Sequence, residues 1–285
     1  MERMNKVYVI GTLIQIKDTR EGVKRNDKNE EIPWLAGTAV VKSGKNDFEF
    51  KFYSSAKTSE GKDNSRYANY QTLAGRVDER VKISGELSGR IWYNEGQGQI
   101  INFNELSAGF FNTPKTTEVD VSTFEYSGFV VKPIHERMDK EGKELLAYEM
   151  EIGQANYRGD NMQIVKFTIE KDNTNIFNAV QGAYYKGATV SVNGVIHYIT
   201  VTETKTEEVM FGDPITKTFQ NIRKTFVITG GKAVMTDDGI AYSEMQIGKL
   251  EAAYTAYMVE AEKKAKDNTN AVKSEPAKQD NNLLL

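Results

Sequence analysis

The stretch NKVYVIGTLIQIK, residues Asn5–Lys17, decides the fold of the first part of the chain. Apolar and polar side chains alternate along it, which is the period of a β-strand with one buried face. Gly11 interrupts the alternation, and a glycine inside a strand permits the bend or bulge that a closed barrel needs. The stretch FEYSGFVVKPI, residues Phe124–Ile134, repeats the pattern with Gly128 at the corresponding place. The sequence therefore predicts two modules that begin with the same kind of strand.

The segments that follow have the same order in both modules: strand, strand, helix, strand, strand. A charged loop, Asp18–Glu31, is expected after the first strand. This order is typical of a five-stranded OB-type barrel, so the fold is expected to be mainly β, with two tandem OB-type barrels that each carry one short helix. The predicted segments are Pro33–Lys42, Asp47–Ser54, the helix Ser65–Leu73, Arg80–Tyr93 and Gln99–Phe111, then Leu145–Ala155, Met162–Glu170, the helix Asn175–Tyr185, Ala188–Thr204 and Lys217–Thr229.

A second pair of glycines favours duplication of one module. Gly85 lies in the sequence Ile-Ser-Gly-Glu-Leu and Gly194 in Val-Asn-Gly-Val-Ile, 109 residues later, while Gly11 and Gly128 are 117 residues apart. Similar separations of similar motifs are the mark of an internal repeat. The alternative is two unrelated β-rich domains. The expected boundaries are residues 1–115, 116–235 and 236–285, with a polar linker at Asn112–Ser122.

The last part of the chain changes in character. Met245–Lys266 has helix-forming composition, and four apolar or aromatic residues lie on one stripe. The polar stretch that follows has too little apolar surface to fold, so a flexible, disordered tail is expected there. It ends in three leucines, which are either a contact for a protein partner or a frayed terminus. The stripe consists of Leu250, Tyr254, Tyr257 and Met258.

Composition excludes several classes of protein. There is no cysteine, hence no disulfide or thiolate metal site, and the two histidines, His135 and His197, are too few for most zinc sites or catalytic triads. No nucleotide-binding glycine motif occurs. No apolar run is long enough to span a membrane, and the opening MERMNK lacks the apolar core of a signal peptide. A cytoplasmic protein without catalytic residues, metal or cofactor is expected.

Charge is distributed unevenly. The net charge is −3, but residues 1–115 carry 18 basic and 15 acidic residues whereas residues 116–245 carry 13 and 19. Phosphate groups bind where cations concentrate, so the first module is the better host for a polyanion.

Several motifs of the first module resemble those of bacterial and phage single-stranded-DNA-binding proteins. Asn5–Leu13 is similar to their opening strand, and Ser65–Gly75, Val81–Leu87 and Arg90–Tyr93 resemble their helix, fourth strand and aromatic hairpin, so that about residues 5–110 are covered. The resemblance implies sequence-independent binding of single-stranded DNA during replication, recombination and repair. It also implies, by analogy, a phage or mobile-element origin.

Two departures from that family concern assembly and partners. Its bacterial members usually carry one barrel per chain and form tetramers, whereas a second barrel here could replace self-association; a homo-oligomer remains an alternative. Their tails are strongly acidic, while this tail mixes charges, which puts recruitment of replication and recombination proteins through the tail in doubt. The mixed charges are Lys273, Glu275, Lys278 and Asp280.

Binding a single strand without sequence preference needs aromatic faces for the bases and cations for the phosphates. In an OB barrel these lie on the second and third strands and on the loops beside them. Phe48, Phe50 and Phe52 alternate on one face and are assigned to the core. The expected DNA-binding residues are Arg20, Lys24, Arg25, Trp34, Lys42, Lys51, Tyr53, Arg90, Trp92 and Tyr93 in the first module, with Tyr157, Arg158, Lys166 and Tyr198 in the second.

Other functions stay open at this point. A tandem-OB module that binds proteins is favoured by the acidic second module, by the leucine end and by Met210-Phe211 in the long hairpin Thr202–Thr218. A magnesium-dependent nuclease is a third reading, but no particular carboxylate stands out for it. The sequence does not separate RNA from DNA.

Overall fold

The computed structural model describes residues 4–94, 99–139, 142–207, 215–236 and 241–274, and the fold of this part is mainly β. No helix within it combines the length and the apolar character that crossing a membrane requires. The strands are β1 Asn5–Arg25, β2 Glu31–Ser43, β3 Asn46–Ser55, β4 Arg80–Asn94, β5 Gln99–Asn112, β6 Val121–Met138, β7 Leu145–Ala155, β8 Met162–Glu170, β9 Thr189–Glu207 and β10 Ile215–Gly231. The helices are α1 Ser65–Gln71, followed by a 3-10 turn at Leu73–Arg76, α2 Thr174–Ala183 and α3 Glu244–Ser274.

The first five strands pair in a closed circuit. β1 pairs with β2, β2 with β3, β3 with β5, β5 with β4, and β4 returns to β1. All of these pairs are antiparallel except β3–β5. Strands β6 to β10 form the same circuit in the same order, again with a single parallel pair, β8–β10. We call the two circuits the first and the second repeat.

The registers of the two repeats coincide as well. Val7 of β1 lies opposite Gly85 of β4, and Phe124 of β6 lies opposite Gly194 of β9. A Cβ atom on any of the four glycines singled out above would collide with a carbonyl oxygen of the neighbouring strand, in the same relation in both repeats. Residues at the same place in these pairings are called equivalent below. The carbonyls belong to Lys42 and Gly153 for Gly11 and Gly128, and to Ser107 and Val227 for Gly85 and Gly194.

The repeats are joined through their first strands. β1 and β6 pair antiparallel, with Val7 opposite Phe124, and these two residues are themselves equivalent. The pairing is therefore symmetric about them, as in an interface with a twofold axis. Buried residues of both repeats, including Val9, Phe50, Phe167 and Ile196, belong to one continuous hydrophobic core.

Two regions differ most from the expected boundaries. The charged stretch after Lys17 is mostly strand, because Arg20 to Arg25 pair through their backbones with β2 while their side chains stay in solvent. The turn is confined to the residues between Arg25 and Glu31. Helix α3 continues to Ser274, beyond the predicted end at Lys266. The flexible tail was expected to begin at Asp267, so its first part, up to Ser274, is helix instead. The rest of the expected tail, from residue 275 onward with its leucine end, and the hairpin tip at Met210-Phe211 lie outside the described residues.

Candidate nucleic-acid interface

The outer surface of β1, β2 and β3 brings several of the expected residues together. Side chains that are directly opposite in antiparallel strands project to the same side. Arg20, Ala36 and Tyr53 form one such row across the three strands, and Trp34 belongs to the next. A third row contains Lys17, Thr38 and Lys51. We call Lys17, Arg20, Trp34, Lys51 and Tyr53 the first-repeat face.

The two aromatic rings of this face lie next to each other. The ring centroids of Trp34 and Tyr53 are 6.0 Å apart, with an angle of 34° between the planes. Tyr53 is 57% exposed and Trp34 is half-buried. The indole lies over Gly22, where a Cβ would be 2.7 Å from the ring, so a side chain there would displace it. The rings offer a partly solvent-exposed platform on which bases can stack.

Cations surround this platform. The ammonium group of Lys51 donates to the Thr38 hydroxyl at 2.8 Å, and that of Lys17 donates to the Glu49 carboxylate at 2.6 Å. Burial alone would raise the pKa of Glu49, but the hydrogen bond from Lys17 and the charges of Lys17, Lys224 and Lys51 hold it below its ordinary value. Glu49 is therefore a carboxylate that orients Lys17, and the charges of three lysines stabilise its ionised form.

The β4–β5 hairpin carries a second aromatic and cationic cluster. Trp92 is 56% exposed and Phe103 is 41% exposed, while Tyr93 is half-buried. The indole of Trp92 is therefore accessible to solvent. Arg90 lies directly opposite Phe103 and bonds through Nε to Glu105 at 3.1 Å. By register, Arg90, Trp92, Phe103 and Glu105 lie on the same side of the hairpin as Ser107, which lies next to Lys51 of β3, whereas Tyr93 faces the other side.

The remaining cations of the first repeat lie at the margins of its face. Lys24 and Arg25 are exposed at the end of the β1–β2 hairpin, where Arg25 pairs with Glu31 at 3.3 Å. Lys42 is exposed at the opposite end of β2, beside Asp47 of β3. They could neutralise phosphates only of a nucleic-acid strand that extends beyond the first-repeat face.

The equivalent surface of the second repeat lacks the aromatic platform. The residues equivalent to Trp34, Lys51 and Tyr53 are Leu145, Thr168 and Glu170. A carboxylate in place of a ring repels phosphate and offers no surface for stacking. The two repeats therefore share a fold but differ in chemistry at the same surface.

The four residues predicted in the second module have different outcomes. Lys166 is exposed on β8, 3.6 Å from the carboxylate of Glu149. Tyr157 and Arg158 are exposed in the turn between β7 and β8. The prediction for Tyr198 is wrong: this ring is 4% exposed and packs on Phe48 at 4.9 Å, so it cannot receive a base.

Two cations that are not among the expected DNA-binding residues also lie close to these two surfaces. Lys224 of β10 is close enough to Glu49 and Glu105 for their charges to raise its pKa, although burial has the larger effect and lowers it. Arg137 of β6 is equivalent to Arg20, since each lies opposite an alanine, and the two are 117 residues apart like Gly11 and Gly128. That separation was the signal that could have identified Arg137. No group of three or more histidine, aspartate or glutamate side chains is placed to hold a metal ion within the described residues.

Comparisons with known proteins give a family for the chain. The pattern of the YorF family matches residues 3–269, so the chain belongs to the YorF family. No curated protein sequence matches it.

Among solved structures, the chain is similar to the single-stranded DNA binding protein from Thermus aquaticus. A deletion mutant of that protein has a TM-score of 0.46 at 13% identity, covering 83% of this chain and 98% of the other. The wild-type structure has a TM-score of 0.46 at 10% identity, covering 85% and 98%.

Proposed function

We propose that this protein binds single-stranded DNA without sequence preference, and that the first-repeat face is its principal binding surface. The observation that carries the proposal is the grouping of Trp34 and Tyr53 with Lys17, Arg20 and Lys51 on one sheet surface. Adjacent rings can stack on successive bases, and each stacked base contributes about 1–3 kcal/mol. Cations beside the rings can neutralise the phosphates that link those bases.

The internal comparison supports the same surface. Burial of apolar side chains is enough to explain the core residues of both repeats, such as Phe50 in the first. It does not explain why an exposed tyrosine and a half-buried tryptophan occupy the first-repeat face where the second repeat has Glu170 and Leu145. Exposed aromatic rings beside cations suit single-stranded DNA, whose bases can stack on the rings and whose phosphates can pair with the cations.

The closed strand circuits support a reading of the two repeats as OB-type barrels. The proposed domains are residues 1–115 and 116–235, followed by a C-terminal part, residues 236–285. The proposed role is non-enzymatic protection of cytoplasmic single strands during DNA replication, recombination and repair.

A salt-series titration tests this function. Tryptophan fluorescence of the full chain is followed while an oligo-dT of about 30 nucleotides is added, a length that exceeds the site of one OB fold. We expect quenching, and an affinity that falls linearly on a logarithmic scale as salt rises. A single-stranded RNA and a DNA duplex of the same length are compared. The absence of binding to oligo-dT at low salt would refute the proposal.

A further inference from the structure

A cavity of about 380 Å³ lies between the two repeats. The second repeat contributes Arg137, Glu149, Lys166 and Thr168 to its wall, and these residues are equivalent to Arg20, Thr38, Glu49 and Lys51 of the first repeat. The first repeat contributes Asn102, Phe103 and Asn104 from its β4–β5 hairpin, and β10 adds Lys224, Thr225 and Phe226. The inter-repeat cavity is thus the second repeat's counterpart of the first-repeat face, bordered by the hairpin of the other repeat.

The walls of the cavity are held in place by direct contacts between the repeats. The side chain of Asn104 both donates to the carbonyl oxygen of Lys166 at 2.7 Å and accepts from its backbone N–H at 3.1 Å. Asn102 donates to the carbonyl oxygen of Ile164 at 3.2 Å. Gly89 approaches the same carbonyl so closely that a Cβ would collide with it. The hairpin is therefore fixed on β8 by contacts within the chain.

The charge of the cavity favours an anion. Arg137, Lys166 and Lys224 line it together with one carboxylate, Glu149. Glu149 accepts from Arg137 at 3.0 Å and lies 3.6 Å from Lys166, so it positions both cations while leaving a net positive charge. Guanidinium and ammonium side chains that line one cavity suit the binding of a phosphate group.

Unpaired polar atoms point to a ligand with both donors and acceptors. The Nε atom of Arg137 and the Oδ1 atom of Asn102 are buried without a hydrogen-bond partner among the described residues. Buried polar groups of this kind usually have partners, so each one needs an explanation. Phe103 adds a ring that is 41% exposed at the edge of the same cavity. A phosphate, a polar base edge and an aromatic base face are combined in one chemical unit, the nucleotide.

We propose that the inter-repeat cavity binds one nucleotide of a single strand, with its phosphate at Arg137, Lys166 and Lys224 and its base against Phe103. The proposal rests on the function proposed above and extends it. Lys224 links the two surfaces, because it lines the cavity and lies within the electrostatic influence of Glu49 on the first-repeat face. A DNA single strand that runs along the cations from Lys51 past Lys224 reaches the cavity.

Oligonucleotides of two lengths distinguish binding at the cavity from binding at the first-repeat face. An oligo-dT of about 8 nucleotides fits the site of one OB fold, whereas one of about 30 nucleotides can occupy both surfaces. In Arg137→Gln we expect affinity for the longer strand to fall about tenfold, as for loss of a charged hydrogen bond. For the longer strand, the slope of the logarithm of affinity against the logarithm of salt concentration should fall in magnitude by about 0.7. The affinity for the shorter strand should not change.

Arg80→Gln is the matched control. The Arg80 side chain is 41% exposed and pairs with Asp120, while the Arg137 side chain is 36% exposed and pairs with Glu149. Lys166→Gln is the second test variant, since the exposed Lys166 side chain can be replaced with less effect on folding than that of Arg137. It should weaken binding of the longer strand alone.

Several outcomes would overturn the proposal. They are an equal loss for both lengths, no loss, or a loss that Arg80→Gln reproduces. Binding of free thymidine 5′-monophosphate that depends on Arg137, combined with unchanged strand binding, would also overturn it and assign the cavity to a free nucleotide. If the wild-type protein binds neither oligonucleotide, the function proposed above fails; if it binds both and the variants behave like wild type, only the cavity fails.

Discussion

Replacement of Tyr53 by leucine tests the stacking role of the first-repeat face most directly. The side chain is 57% exposed and its ring lies 6.0 Å from that of Trp34, outside the buried core. Leucine keeps an apolar side chain on the strand but removes the flat ring. Substitution at so exposed a position should change the free energy of unfolding by no more than about 0.5 kcal/mol.

The expected loss in binding is much larger than that. One stacked base contributes about 1–3 kcal/mol, which corresponds to an increase in Kd of about 5- to 150-fold. Fluorescence anisotropy of a labelled oligo-dT gives Kd for wild type and Tyr53→Leu at the same salt concentration, and urea unfolding checks stability. Tyr53→Phe, which retains the ring, should bind about as tightly as wild type.

Tyr185→Leu is the matched control, because Tyr185 is also exposed, at 63%, but follows α2 in the second repeat. It should leave Kd unchanged. Equal effects of Tyr53→Leu and Tyr185→Leu on Kd would refute the assignment of the first-repeat face as a stacking surface.

Three further predictions concern the backbone, the cations and pH. Gly194→Ala should destabilise the protein by about 1–3 kcal/mol in urea, since its Cβ meets a strand carbonyl, whereas Gly248→Ala in α3, with open space around it, should stabilise it by up to about 1 kcal/mol. Equal effects of the two would contradict the close approach of the strands. Lys51→Gln should lower the salt slope of oligo-dT binding by about 0.7, and an unchanged slope would remove Lys51 from the phosphate path. Burial raises the pKa of Tyr70 from 10.0 to about 12, so the unfolded chain ionises first and stability should fall as pH rises from about 10 to 12. Urea unfolding across this pH range should show a smaller decline in the free energy of unfolding for Tyr70→Phe than for wild type. An identical decline would contradict the assignment of the effect to Tyr70.

The elements and the repeat were largely predictable because each depends on local pattern. The alternation of Phe48, Phe50 and Phe52 placed all three rings in the core, where they are 0%, 0% and 4% exposed. The same alternation placed Tyr53 outside. The charged end of β1 was mistaken for a loop, because a two-stranded extension in solvent needs backbone pairing but no apolar face.

The candidate site was less predictable where it depends on contacts between the repeats. Tyr198 looked like an exposed strand residue, but β9 packs against the end of the first repeat and buries its ring on Phe48. Phe103, Arg137 and Lys224 come from three strands and meet only around the inter-repeat cavity. Such contacts follow from the packing of distant strands, which periodicity along one strand cannot show.

The pairing of β1 with β6 about Val7 and Phe124 has a consequence for how the two surfaces could diverge. In an assembly of two identical chains, every substitution appears twice, so both surfaces must change together. Here each copy of the module is encoded separately, and one copy can acquire carboxylates at Glu149 and Glu170 while the other keeps Thr38 and Tyr53. Joining the copies in one chain preserves the geometry of a symmetric pair and frees its two halves to specialise.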